Sequence, residues 1–239
     1  MQRHLSSESK SRATTTVWVL ASSPVWSLHA GAYWLPKPDY VVAADGGSAL
    51  ANKLGLVPDL LIGDFDSSDP ALIKKWEGQG VAIRRFEHTV KLETDTELAV
   101  LAALEWHPAR VYIIGAVGGR LDHEFANILL LTALNLAALD IRIIDNYQEV
   151  FLAKPGQWNM LCGREGDSLS LLPVGGDVQG VTTEGLEYPL LDETLHQGRG
   201  RGVSNTLLAP EARVWFDKGL LMVVHLHTGT RAHTQGVKE

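Results

Sequence analysis

Leu60-Leu61-Ile62-Gly63-Asp64-Phe65-Asp66-Ser67 runs a short apolar stretch directly into two carboxylates. Three large aliphatic residues followed by glycine read as a strand buried on both faces that reaches the surface at its carboxyl end. In extended chain, residues i and i+2 project to the same side. The spacing therefore predicts Asp64 and Asp66 facing one point, with Phe65 turned away. Two converging carboxylates repel unless a cation lies between them. An oxygen-only pair suits a hard ion such as Mg²⁺, which commonly accompanies phosphate. Taken alone, the same pair also reads as a solvated turn with two incidental acids.

The same texture extends in both directions. Val17–Ala21, Tyr40–Ala44, Val81–Phe86, Val111–Gly115 and Ile141–Ile144 are further strand-like runs. Helical patterns at about 47–54, 69–78, 95–106 and 121–139 lie between most of them. This alternation predicts an α/β domain, a mostly parallel, Rossmann-like sheet flanked by helices. Ligands of such sheets bind outside the carboxyl ends of the strands. After about residue 150 the pattern changes to short β-prone runs separated by Gly and Pro turns: Val150–Ala153, Ser168–Pro173, Val178–Thr183, Val203–Leu208, Ala212–Phe216 and Leu221–His227. These predict an all-β sandwich or barrel. The expected layout is a disordered tail over 1–16, the α/β domain over 17–148, the β domain over 149–228 and a second tail over 229–239.

Composition narrows the function. With 239 residues, 45% of them hydrophobic, the chain can bury one large core or two modest ones. A net charge of −7 offers no basic stripe for nucleic acid. The apolar stretch at 125–139 is interrupted by Asn127, Thr132 and Asn135, which argues against a membrane partner. Cys162 is the one cysteine, which excludes an intrachain disulfide and favours a reducing, cytoplasmic location; it is expected to be a small core residue. Residues 1–16 lack the apolar segment of a secretory signal.

Several acids recur at predicted strand ends. Asp45 follows Tyr40–Ala44 and precedes Gly46 and Gly47, where the backbone can approach a ligand and open a helix. Thr94 and Glu97 have capping-box spacing, which explains both structurally and leaves Asp95 on the first helical turn. Asp95 either favours the helix dipole or supplies a third carboxylate beside Asp64 and Asp66. Gly118-Gly119-Arg120-Leu121-Asp122-His123 opens the long helix and is neither a Walker A loop nor a G-x-G-x-x-G motif. Its arginine suits phosphate, and His123 and Asn127 share a helix face. Ser204 and Asn205 offer small polar side chains at a strand start. His225 and His227 share a strand face, but no acid stands near them in sequence, so the sequence does not favour zinc there.

In this order, Ala44-Asp45-Gly46-Gly47, Pro58-Asp59, Gly63-Asp64-Phe65-Asp66-Ser67, Thr94-Asp95, Gly118-Gly119-Arg120-Leu121-Asp122-His123 and Asn127 resemble the thiamine pyrophosphokinase family. Ser168-Leu169-Ser170-Leu171-Leu172-Pro173, Val181-Thr182-Thr183-Glu184-Gly185-Leu186 and Ser204-Asn205 extend the resemblance to about residue 206. The resemblance implies a homodimer that transfers the diphosphoryl group of ATP to thiamine, giving thiamine diphosphate and AMP. It implies Asp64, Asp66 and Asp95 as catalytic and Mg²⁺-binding residues. Asp45, Gly46, Gly47, Arg120, Asp122, His123 and Asn127 would lie on the nucleotide side, and Ser204 and Asn205 on the thiamine side. Asp66, Asp95 and Asp122 remain alternatives for the general base. Two departures stand out: Ala21-Ser22-Ser23-Pro24, where relatives often carry glycine, and Lys91, where several carry an acid. A pyrophosphokinase for another alcohol such as a hydroxymethylpterin, a Mg²⁺-dependent phosphohydrolase, and a nucleotide- or thiamine-binding regulatory module are the competing functions.

Overall fold

The computed structural model describes residues 14–23, 35–66, 68–86, 92–133 and 139–227. Lys91 and both expected tails lie wholly or largely outside these residues. The chain divides into two compact units, one formed by the described residues up to 116 with 139 and 140, the other by the remainder.

The first unit is built on a parallel sheet. Its strands are β1 (Thr16–Leu20), β2 (Tyr40–Ala44), β3 (Leu60–Gly63), β4 (Ala82–Arg85) and β5 (Arg110–Ile114), in the order β5-β1-β2-β3-β4. The central strands carry Val17, Val19, Leu20, Val42, Ala43, Leu61 and Ile113 with almost no exposure, as a sheet covered on both faces requires. Edge strand β4 is largely exposed and carries Arg84 and Arg85, charges that discourage edge-to-edge pairing. Helices α1 (Gly47–Leu54), α2 (Pro70–Gly78) and α3 (Asp95–Leu104) connect the strands. Helix α2 starts at Pro70 after Asp69, whose carboxylate accepts the Ala71 N–H at 2.9 Å. Helix α3 packs on β1, β2, β3 and β5 through Ala99, Val100, Ala102 and Ala103, small residues that permit close approach.

One close approach fixes the start of α1. A Cβ added to Gly47 would lie 2.0 Å from the Leu20 carbonyl oxygen at the end of β1. Only glycine fits there. The constraint that the Gly46-Gly47 pair meets in the structure is thus packing of a helix against a strand end.

The second unit holds α4 (Leu121–Ala133) and two antiparallel sheets. In one, β6 (Asp140–Ile144) pairs with β7 (Gln148–Ala153), β7 with β14 (Leu221–Leu226), β14 with β9 (Ser168–Pro173), and β9 with β12 (Asn205–Thr206). In the other, the order is β11 (Glu193–Leu195), β10 (Val178–Glu184), β13 (Glu211–Trp215), β8 (Asn159–Cys162). Inward residues of both sheets, among them Phe151, Leu169, Val223, Leu161, Val181 and Val214, form one buried cluster, which makes this a sandwich.

The mixed architecture read from the sequence is therefore present, with local differences. The Ile141–Ile144 run forms β6, as expected, and pairs antiparallel with β7. Strands β8 and β11 were not foreseen, because both are short edge strands with few inward residues. The Val203–Leu208 run shrinks to the two residues of β12. Cys162, expected in the core, is exposed: it faces outward from β8 while its neighbour Leu161 takes the inward position. Of the helix expected over 121–139, Leu121–Ala133 is formed, and 134–138 lie outside the described residues. Among the described residues, no helix is long and apolar enough to cross a membrane.

Candidate active site

The carboxyl ends of β2 and β3 and the start of α3 bring Asp45, Asp64 and Asp95 together. One oxygen from each lies within 4.8 Å of the other two, and all three residues are half-buried. Gly63 makes this possible. Its φ is +148°, and a Cβ there would lie 3.1 Å from the Asp95 carboxylate and 3.2 Å from the Asp45 Cβ. A side chain at position 63 would crowd the space that the acids share.

Asp45 is held firmly. Its backbone N–H donates to the Ile62 carbonyl at 2.9 Å, and the Ser68 hydroxyl donates to its Oδ1 at 2.9 Å. Its φ of +40° is a left-handed conformation that Asp and Asn tolerate better than most residues. Burial pushes its carboxyl above the usual range, the Ser68 hydroxyl opposes that, and the Asp95 charge adds to it. The cluster is therefore short of positive charge.

Asp66 stands apart from this group. The strand ends at Gly63, and Phe65 has a φ of +62°, so extended geometry does not continue from Asp64 to Asp66. The chain instead turns back, and the Asp66 N–H donates to the Asp64 Oδ1 at 3.2 Å. Asp66 is exposed, although its charge still reaches Asp45. The i, i+2 argument assumed a strand that extended two residues further. It therefore paired Asp64 with Asp66, whereas the fold pairs Asp64 with Asp45 from the neighbouring strand end.

Other residues of this unit have clear structural tasks. The Asp59 carboxylate accepts the Val41 N–H at 2.8 Å and the Asp59 N–H donates to the Val41 carbonyl, so the Pro58-Asp59 motif locks β2. Burial raises the Asp59 carboxyl, against that hydrogen bond. The Thr94 hydroxyl accepts the Glu97 N–H at 3.1 Å, as the capping spacing predicts. Beside Asp45, a cavity of about 210 Å³ is lined by Phe65, Ser68, Ile73, Lys74, Glu77 and Arg85.

In the second unit, Arg120 forms a two-pronged pair with Asp122, 2.6 Å at the shorter contact, and both side chains are largely exposed. The backbone N–H groups of Gly118 and Gly119 both donate to one oxygen of Glu124, at 3.0 and 2.5 Å. That loop thus already converges on an anionic oxygen. Two residues before Glu124, the Arg120 guanidinium holds the Asp122 carboxyl below its usual range. His123 is exposed and Asn127 is buried on the same helix. Ser204 is exposed with a φ of +60°, and its N–H donates to the Ser170 hydroxyl at 3.1 Å. The buried Asn205 spends its amide on the chain: Oδ1 accepts the Tyr188 N–H at 3.0 Å and Nδ2 donates to the Tyr188 carbonyl at 2.7 Å.

Open α/β sheets bind their ligands outside the carboxyl ends of the strands, which is where these carboxylates gather. Comparison with known proteins gives the family. Residues 32–144 match the description "Thiamin pyrophosphokinase, catalytic domain", and residues 157–221 match "Thiamin pyrophosphokinase, vitamin B1 binding domain". The chain belongs to the thiamine pyrophosphokinase family and is an enzyme of the diphosphotransferase class. Thiamine pyrophosphokinase of Bacillus subtilis is 29% identical over 183 residues, covering 77% of this chain and 85% of its own. Thiamine pyrophosphokinase 2 of Oryza sativa is 29% identical, with 73% and 67% covered. The Bacillus subtilis crystal structure superposes with a TM-score of 0.80 at 25% identity, covering 89% of this chain and 99% of that one. The Candida albicans structure, at 17% identity and a TM-score of 0.74 over 88% and 90% of the two chains, shares the fold.

Proposed function

We propose that this protein transfers the diphosphoryl group of ATP to the hydroxyl of thiamine, releasing AMP and forming thiamine diphosphate. The observation that carries the proposal is the convergence of Asp45, Asp64 and Asp95 at the sheet ends, in a chain whose two halves match the two domains of one family.

Three half-buried carboxylates within 4.8 Å suit a hard divalent cation, and we assign them to Mg²⁺. When bound, Mg²⁺ neutralises charge on the phosphate oxygens. The protein's own residues do the rest. Gly63 keeps the space between the acids open, and Ser68 fixes the orientation of Asp45. We assign Asp66, exposed beside Asp64, to accept the proton of the attacking alcohol, with Asp95 and Asp122 as the alternatives. Gly46 and Gly47 belong to the nucleotide side through the turn that follows Asp45.

The Gly118–Arg120 loop is assigned to phosphate, with His123 and Asn127 on the same nucleotide side. Its two convergent N–H groups would exchange Glu124 for a phosphate oxygen, and Arg120 would exchange Asp122. On the thiamine side, Ser204 supplies an exposed hydroxyl. Asn205 acts by holding the Tyr188 segment, whose ring is exposed. Thiamine is a cation, and the net charge of −7 favours its capture.

The working unit is proposed to be a cytoplasmic homodimer. Leu121, Phe125 and Leu129 form an exposed apolar stripe at helical spacing on α4, which supports self-association. Purified protein supplied with ATP and Mg²⁺ should form AMP only when thiamine is added. AMP formed without thiamine, or phosphate released in its place, refutes the assignment.

A further inference from the structure

Strand pairing in the sandwich assembles a polar cluster that the proposed reaction does not use. Glu149 on β7 is the cross-strand partner of His225 on β14, and His227 follows on the same face. The turn before β9 adds Asp167. Glu149, Asp167 and His225 are almost fully buried, and the His227 side chain keeps 14% exposure. One donor atom from each of Glu149, His225 and His227 lies within 4.8 Å of the others.

We propose that Glu149, His225 and His227 form a transition-metal site of the zinc class, in which Asp167 orients the His225 imidazole. The distances favour an ion over direct hydrogen bonds. Glu149 Oε1 lies 3.5 Å from His225 Nδ1 and 3.8 Å from His227 Nε2. Direct N–H···O bonds run about 2.7–3.2 Å. Ligands about 2.0–2.1 Å from a tetrahedral zinc lie about 3.3–3.4 Å apart, so a small contraction around an ion closes the set.

The opposite ring nitrogens face one further oxygen. Asp167 Oδ2 lies 3.3 Å from His225 Nε2 and 3.8 Å from His227 Nδ1. A carboxylate behind a ligating histidine fixes its tautomer and raises its basicity. Asp167 is itself fixed, because its Oδ2 also accepts the Arg164 N–H at 2.8 Å. Glu149 keeps its second oxygen on Arg142 Nη1 at 2.8 Å, which leaves Oε1 for the metal. Two carboxylates against one guanidinium supply the negative charge that a divalent ion requires. Mixed nitrogen and oxygen donors separate this site from the all-oxygen cluster around Asp64. Water completes the coordination.

The test uses the full chain in a Cys162→Ser background, stripped with EDTA and titrated with Co²⁺. The expected result is saturable binding of one Co²⁺ per chain with the intense visible absorption of a four-coordinate ion, displaced by Zn²⁺. The six-coordinate all-carboxylate cluster would give only weak absorption. His227→Gln should lose the intense band while its far-ultraviolet circular dichroism stays unchanged. Asp167→Asn should weaken Co²⁺ about 10- to 100-fold. Zn²⁺ should raise the melting temperature of the parent and not of His227→Gln. Absence of the intense band in the parent, or its persistence in His227→Gln, overturns the site.

Discussion

Replacing Asp45 by Asn should make the metal-free protein more stable and the enzyme nearly inactive. Asn has the same shape, tolerates the φ of +40°, and can still accept the Ser68 hydroxyl. The substitution therefore removes charge and little else. Two unit charges 4.8 Å apart repel by about 0.9 kcal/mol at the dielectric of water and about 3.5 kcal/mol at an effective value of 20. Asp45 is half-buried, so about 1 kcal/mol for each of its two carboxylate neighbours is appropriate. Asp45 accepts from both the Ser68 hydroxyl and the Gly46 N–H, and weakening these two hydrogen bonds returns about 1 kcal/mol. The net gain is about 1 kcal/mol, or a melting temperature about 2–4 °C higher in EDTA. Adding Mg²⁺ and ATP should stabilise the parent more than the variant. Turnover should fall on the order of 10²-fold or more, as when a preorganised electrostatic group is lost. Differential scanning fluorimetry with and without EDTA, beside an AMP-release assay, measures both effects. A variant that melts several degrees lower in EDTA, or that keeps near-parental turnover, refutes the reasoning.

Thr94→Ala should cost about 1 kcal/mol of stability in urea unfolding with little kinetic effect, whereas Asp95→Asn should cut turnover; the reverse pattern would assign Asp95 to the helix dipole alone. Gly47→Ala should destabilise by about 3 kcal/mol or more, because its Cβ would meet the Leu20 carbonyl, whereas Gly78→Ala, with open space around it, should be close to neutral; equal denaturation midpoints would contradict the packing. Burial opposes ionisation of Glu149, yet His225 and Arg142 hold its carboxyl down to about 2 from an unfolded value of 4.5. This contribution is complete above about pH 4.5 and is lost as pH falls toward 2, on the order of 3 kcal/mol in all. Glu149→Gln should therefore flatten the acid limb of stability in metal-free protein, and an unchanged limb would count against the pairing. Light scattering at assay concentration should give a dimer, and a fully active monomer would refute self-association.

Much of the chain was legible in its sequence because the signals are local. Tyr40–Ala44, Leu60–Gly63 and Ser168–Pro173 form strands over the expected residues, since alternation and continuous apolar runs record which faces are covered. Thr94 caps its helix because the capping contact spans only three residues. The acids at strand ends were visible for the same reason. Which acids meet was not. That depends on Phe65 turning the chain away from Asp66, and on neighbouring strand ends bringing Asp45 beside Asp64. The cluster at His225 was equally hidden. Glu149 reaches it through strand register, and Asp167 through a turn 58 residues earlier in the chain. Sequence by itself determined most of the elements, the Thr94 cap and the supply of carboxylates, all set by short-range sterics, hydrogen bonding and burial pattern. Only the tertiary structure decided which charges share a site, because Coulomb and coordination energies depend on distances that pairing between remote strands creates.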